Sequence, residues 1–279
     1  MLRKLMKYEL RATGRIFLPF FGALIVLSLL NKLFYSNRAE NMMRTLRQNG
    51  KGLPIEITRV ISMALFIFLI CAIFMLAAIV MIQRFYKNLL GDEGYLMFTL
   101  PVRPWQLITS KAAVSCMWLV VSGLVTLLAC LLMMASLGDI IDIFAGLPMS
   151  FRNLTPQSAL HGVLLSFEVC LLMLVYLFYF ILLVYAAIAV GQLWSAHKLL
   201  GAFGAFIVLN TAFQIITFSA VWVFDKLTDM ISLPARWGDQ HILTVMHAGI
   251  WMVLLWGALM GAACFALANW LLGKKLNLE

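Results

Sequence analysis

Six apolar runs, each long enough to cross a bilayer, constrain this chain more than any other feature. They cover residues 16–34, 60–82, 112–137, 163–190, 199–224 and 248–272, over half of the 279 residues. A spanning helix needs ~20 mainly apolar residues. Backbone amides and carbonyls in hydrocarbon must bond within their own segment, so runs of this kind are helices. The alternating pattern of barrel strands is absent. The expected fold class is therefore all-α: a polytopic membrane protein with one transmembrane domain over 1–279. Only 12% of residues are charged, about half the share of a soluble domain. In water such a surface would aggregate.

The first run is too long for a signal-peptide core and no small-x-small cleavage site follows it, so a retained helix is expected. Before it, Leu2, Leu5 and Met6 share a helical face among Arg3, Lys4, Lys7, Arg11 and Arg15. That pattern predicts a short N-terminal interfacial helix lying on the inner leaflet. Orientation follows the Lys and Arg distribution. With the amino terminus inside, the inner segments carry those five bases and then Arg84, Lys87, Arg103, Lys111, Lys198, Lys274 and Lys275. The first outer loop runs against the rule with Lys32, Arg38, Arg44, Arg47, Lys51 and Arg59. Both termini are expected in the cytoplasm. On this placement most of the net charge of +9 faces anionic headgroups rather than nucleic acid.

Cys71, Cys116, Cys130, Cys170 and Cys264 all fall within apolar runs and form no C-x-x-C pair. They read as buried free thiols. His161, His197, His241 and His247 make no metal-binding spacing. The methionines and phenylalanines read as packing and lipid-facing residues. The link between the fourth and fifth runs, Gly191 to Lys198, is short, so those helices should be antiparallel neighbours.

The segment between the second and third runs is more than a linker. Asp92 suits a helix start, with Glu93 favourable to the dipole. Tyr95, Leu96, Met97, Phe98 and Leu100 form an apolar cluster that Pro101 ends. Pro104 opens a second short helix, with Trp105 and Leu107 at headgroup level. A helix presenting aromatic residues on the inner face can fill a groove of a soluble partner or lie against lipid.

Gly91-Asp-Glu-Gly-Tyr-Leu-Met-Phe-Thr-Leu-Pro101, followed by Gln106-Leu107 and Ser110-Lys111, closely resembles the DEGYLxFTLP…LLxSK segment of bacterial type-2 ABC exporter permeases. Arg103-Pro104-Trp105 departs from that pattern. The resemblance also covers the basic start and the six spans. It implies that Asp92, Glu93, Gly94, Tyr95, Leu96, Met97, Phe98, Thr99, Leu100 and Pro101 form a cytoplasmic coupling helix docking on an ABC ATPase subunit. The resemblance further implies the bacterial cell membrane, a second permease chain, the same or different, and an amphipathic cargo such as an antimicrobial peptide, toxin, drug or lipid. No G-x-x-x-x-G-K-[ST] occurs, so no cofactor is expected on this chain, and ATP and Mg belong to the partner.

Candidates for a translocation path are Glu168, Asn210, Gln214 and Thr217. Glu168 is the acidic residue inside a span, where ionisable groups are costly and often functional. Contact with a cationic substrate and a protonated carboxyl bonding across helices are both open readings. Asn210, Gln214 and Thr217 are spaced by four and three, sharing one helical face. They suit a path or interhelical bonding. Gly257 and Gly261 form a G-x-x-x-G in the sixth run. The alternatives to a permease are an intramembrane enzyme such as a protease, which would need paired catalytic groups, and an ion-coupled carrier or channel.

Overall fold

The computed structural model describes residues 2–35, 53–89, 104–134, 156–194, 197–230 and 239–274. They form α1 (Leu2–Phe34), α2 (Leu53–Leu89), α3 (Pro104–Met134), α4 (Pro156–Gly191), α5 (Lys198–Met230) and α6 (Asp239–Lys274). Each holds a stretch long and apolar enough to cross a membrane, and there is no strand among the described residues. The chain is a multi-pass, all-helical membrane protein.

The helices outrun the apolar runs. The 37 residues of α2 extend about 55 Å at ~1.5 Å per residue, against ~30 Å of hydrocarbon. Hydropathy marks where the solvent changes, whereas the hydrogen-bond ladder ends at a breaker. Proline at the first helical position sets the starts of α3 and α4, since its missing amide is one a helix start leaves unpaired anyway.

Two expected short helices are not separate elements. The basic start continues into the first span as α1, because nothing between Arg11 and Ile16 breaks it. The Thr13 hydroxyl donates to the Glu9 carbonyl at 2.8 Å, and Gly14 is carried within the ladder. The helix opened by Pro104 likewise runs on as the third span. Its Trp105 is exposed, while Leu107 is buried rather than turned to the headgroups. Lys111, counted above among the inner bases, is also buried.

The chain divides into two packing units. One comprises Arg3–Met81 and Met117–Asn153. Its core holds Phe17, Phe21 and Leu24 of α1, Phe66, Ile73 and Ala77 of α2, and Ala129 of α3. Trp118 stacks on Phe17 with ring centroids 4.6 Å apart, and its indole Nε1 donates to Thr13 Oγ1 at 2.7 Å. Asn31 and Ser62 bond across α1 and α2 while fully or nearly buried, with Ser62 Oγ donating to Asn31 Oδ1 at 2.7 Å.

Arg59, one of the bases that confuse the charge count, closes the end of α1. Its Nε donates to the Phe34 carbonyl at 2.8 Å, and its guanidinium sits 4.8 Å from the Tyr35 ring centroid. A cation there meets the negative end of the helix dipole and satisfies an orphan carbonyl. Arg59→Ala is expected to lower stability by about 1–2 kcal/mol, measured as the thermal unfolding midpoint in detergent. Arg59→Lys should recover part of the loss, because lysine keeps the charge without the fork.

The other unit is mainly Ile82–Cys116 and Leu154–Glu279. Its centre is α4, where every side chain from Ile181 to Ala189 is buried. Both α5 and α6 pack against α4. Phe180 meets Phe206 and Tyr179 meets Phe213, so α5 runs antiparallel to α4, as the short link predicts. Tyr176 faces Gly257 and Tyr179 faces Gly261, so α6 runs parallel to α4. At the far end of α4, Tyr185 stacks on Phe85 of α2 with centroids 4.0 Å apart. Its hydroxyl lies 3.0 Å from Ser115 Oγ of α3.

Candidate functional site

The α4–α6 contact is built on small residues. A methyl group placed on Gly257 would lie 2.9 Å from Tyr176 Cε2. One on Gly261 would lie 3.7 Å from the Tyr179 Cα. The G-x-x-x-G of α6 therefore seats two tyrosines of α4, allowing the close approach that small residues give membrane helices. The two tyrosine rings meet edge to face.

A cavity of about 510 Å³ opens beside this contact, bounded by α4, α5 and α6. Its walls are mostly aromatic and apolar: Tyr176, Tyr179, Phe213, Trp256 and Met260. Its polar groups come from one face of α5, namely Asn210, Gln214 and Thr217. The spacing read from the sequence does bring these three together. Asn210 stands near the middle of the apolar stretch Lys198–Val223.

The three do not behave alike. Thr217 is engaged: its Oγ1 accepts a hydrogen bond from Trp256 Nε1 at 2.9 Å and donates to the Phe213 carbonyl at 2.8 Å. It is an interhelical tie. Among the described residues, no hydrogen bond is made by the Asn210 or Gln214 side chain. Each carboxamide offers two donors and an acceptor. In hydrocarbon an amide without partners costs several kcal/mol by transfer scales.

Glu168 is elsewhere. It does not line this cavity, but lies near the end of the unit where α4 and α6 begin. There it is 6% exposed and forms a cluster that the sequence reading missed. Glu168 Oε1 accepts from Trp251 Nε1 at 3.0 Å, and Oε2 lies 2.7 Å from His247 Nδ1, within hydrogen-bond distance. His247 Nε2 in turn faces His161 Nδ1 at 3.3 Å. Glu168 is thus not a solitary ionisable group. Of the two open readings, the structure has hydrogen bonding across helices. A sequence signal existed: His161 and Glu168 are two turns apart on α4, and His247 and Trp251 are one turn apart on α6.

A second cavity, of about 560 Å³, lies between α4, α6 and the first turns of α3. Its lining is almost wholly apolar, with Leu182, Ala258 and Phe265 among the contributors. Tyr179 and Gly257 border both cavities. No group of three or more His, Cys, Asp or Glu among the described residues could hold a metal ion. Of the cysteines, Cys264 is buried and Cys116 and Cys130 are half-buried, but Cys71 and Cys170 are exposed on their helices rather than buried. The coupling residues Asp92 to Pro101 lie outside the described residues. Compared with protein-family models, curated proteins and solved structures, the chain finds no match.

Proposed function

We propose that this chain is the transmembrane permease subunit of an ATP-driven exporter for an amphipathic substrate. Two supports are independent. The first is the segment Gly91–Pro101, with its resemblance to the coupling segment of type-2 ABC exporter permeases. The second, which carries the reading on structural grounds, is the aromatic cavity, lined by two carboxamides that make no hydrogen bond among the described residues. Apolar walls with a few placed polar groups are what a small-molecule or peptide site looks like. The two amides would hydrogen-bond the polar side of a cargo whose apolar side meets the aromatic walls.

The packing supplies a mechanical connection between the two features. The helices that flank the coupling segment are α2, which ends at Leu89, and α3, which begins at Pro104. Phe85 and Ser115, near those ends, both engage Tyr185 of α4. Tyr179 and Tyr176 stand about two turns along the same helix, at the cavity wall. Force delivered by a closing pair of ATPases would pass from the segment to α4, and from α4 to the cavity.

Replacing Tyr95, Leu96, Met97, Phe98 and Leu100 together with serine is expected to abolish co-purification with the ATPase, while the six-helix chain still elutes as a folded protein. Unchanged association would refute the docking role.

The Glu168 cluster favours a second reading, a proton-coupled carrier, because ionisable groups linked inside a membrane are characteristic of proton relays. The two readings separate cleanly in proteoliposomes. The exporter requires ATP and its partner subunit, and the carrier requires only a pH gradient.

A further inference from the structure

The three bonds among His161, His247, Glu168 and Trp251 all join α4 to α6. They lie near the start of both helices, in spans that are otherwise nearly free of charge. We propose that Glu168, His247 and His161 form a proton-binding latch that pins these two helices together. This inference rests on neither transport reading.

The stoichiometry follows from counting protons on the observed contacts. Glu168 as a carboxylate is acceptor-only, and both its oxygens are taken, by Trp251 Nε1 and by His247 Nδ1. His247 Nε2 and His161 Nδ1 face each other at 3.3 Å, and only one hydrogen fits between two ring nitrogens. With both rings neutral, His161 Nδ1 donates to His247 Nε2. All three bonds are made, but the cluster carries one net negative charge. One added proton goes to the outer nitrogen of His161, Nε2. All three bonds stay and the cluster becomes electrically neutral. A second added proton weakens the cluster wherever it goes. With both rings charged it sets two N–H groups against each other. On Glu168 it removes the negative charge that strengthens the bonds from Trp251 and His247.

The latch is thus complete and uncharged with one added proton. It is charged with none, and weakened with two. Histidine is the side chain whose charge ordinarily changes near neutral pH. Among the described residues, the facing ionisable groups are Glu168 and His161 on α4 and His247 on α6. Lys226 lies near the end of α5 on the same side and Cys170 is exposed on α4. Neither shares the three bonds.

The test uses the full chain in lipid nanodiscs with ¹⁵N-labelled histidine. The sequence has four histidines, so His197→Gln and His241→Gln leave only the two of interest. The expected spectrum has one low-field Nδ1 proton, from His247 against the carboxylate, and two rings whose nitrogen shifts move together as pH falls. Glu168→Gln should eliminate the low-field resonance. His161→Gln should keep it while reducing the titration to a single step, and it serves alone if Glu168→Gln does not fold. Two rings titrating independently, or a low-field proton indifferent to Glu168→Gln, would overturn the proposal.

Discussion

Gly191→Ala is expected to cost at least about 3 kcal/mol, the upper part of the range for forcing extra atoms into a packed core, and to leave little folded protein in the membrane. Gly191 ends α4 where the chain turns into α5. A methyl group there would lie 2.4 Å from the Ala202 backbone nitrogen and 2.5 Å from its Cα. Backbone cannot rotate aside as a side-chain tip can, so the two helices must separate. The separation would also disturb Gly201, whose open side is occupied by the Gly191 carbonyl and the Trp194 ring. Gly204, on the same α5, is the control. Nothing lies within 4 Å of a methyl group placed there, and alanine is the better helix former by about 1 kcal/mol. Gly204→Ala should be neutral or mildly stabilising. The measurement is the yield of monodisperse protein and its thermal midpoint in detergent. Equal behaviour of the two variants would mean that the α4–α5 turn is not as close as described.

The second large effect concerns transport rather than stability. Asn210→Leu combined with Gln214→Leu is expected to reduce transport about tenfold without lowering the unfolding midpoint. Each amide would lose a hydrogen bond to cargo worth about 0.5–1.5 kcal/mol, and about 1.4 kcal/mol in total is a factor of ten. Stability should hold or rise, because these side chains make no hydrogen bond among the described residues and leucine suits hydrocarbon better. Thr217→Val, one turn away, should do the reverse. It removes the acceptor for Trp256 Nε1 and is expected to cost about 1 kcal/mol of stability, with the cavity's amides intact. A double variant that loses stability and keeps transport would remove Asn210 and Gln214 from the path.

Much of the fold was legible because bilayer hydrocarbon is a severe filter. Six runs of the required length, with their backbones obliged to bond internally, leave few alternatives. The polar face of α5 was legible too, since Asn210, Gln214 and Thr217 are local in sequence and a helix has one period. What local reading could not supply was the division of labour among them. Whether Thr217 is bonded depends on Trp256, 39 residues away on another helix. The same limit hid the latch. Glu168 lies 79 and 83 residues from its partners His247 and Trp251, and only the parallel packing of α4 and α6 brings them level. A related limit applies to Arg59. A charge count assigns a base to a side of the membrane, but this guanidinium is committed to the end of α1.

The helix ends were the least legible feature. An apolar window cannot show that α1 continues through Thr13 and Gly14, or that the third span already begins at Pro104.

The most direct test of the central claim is reconstitution. The chain is purified together with the proposed ATPase partner and placed in liposomes, and release of an amphipathic peptide is followed with and without ATP. An ATP-driven exporter should give release that requires ATP hydrolysis by the partner and falls about tenfold in the Asn210→Leu, Gln214→Leu variant. Release that proceeds without the ATPase and follows an imposed pH gradient would contradict it.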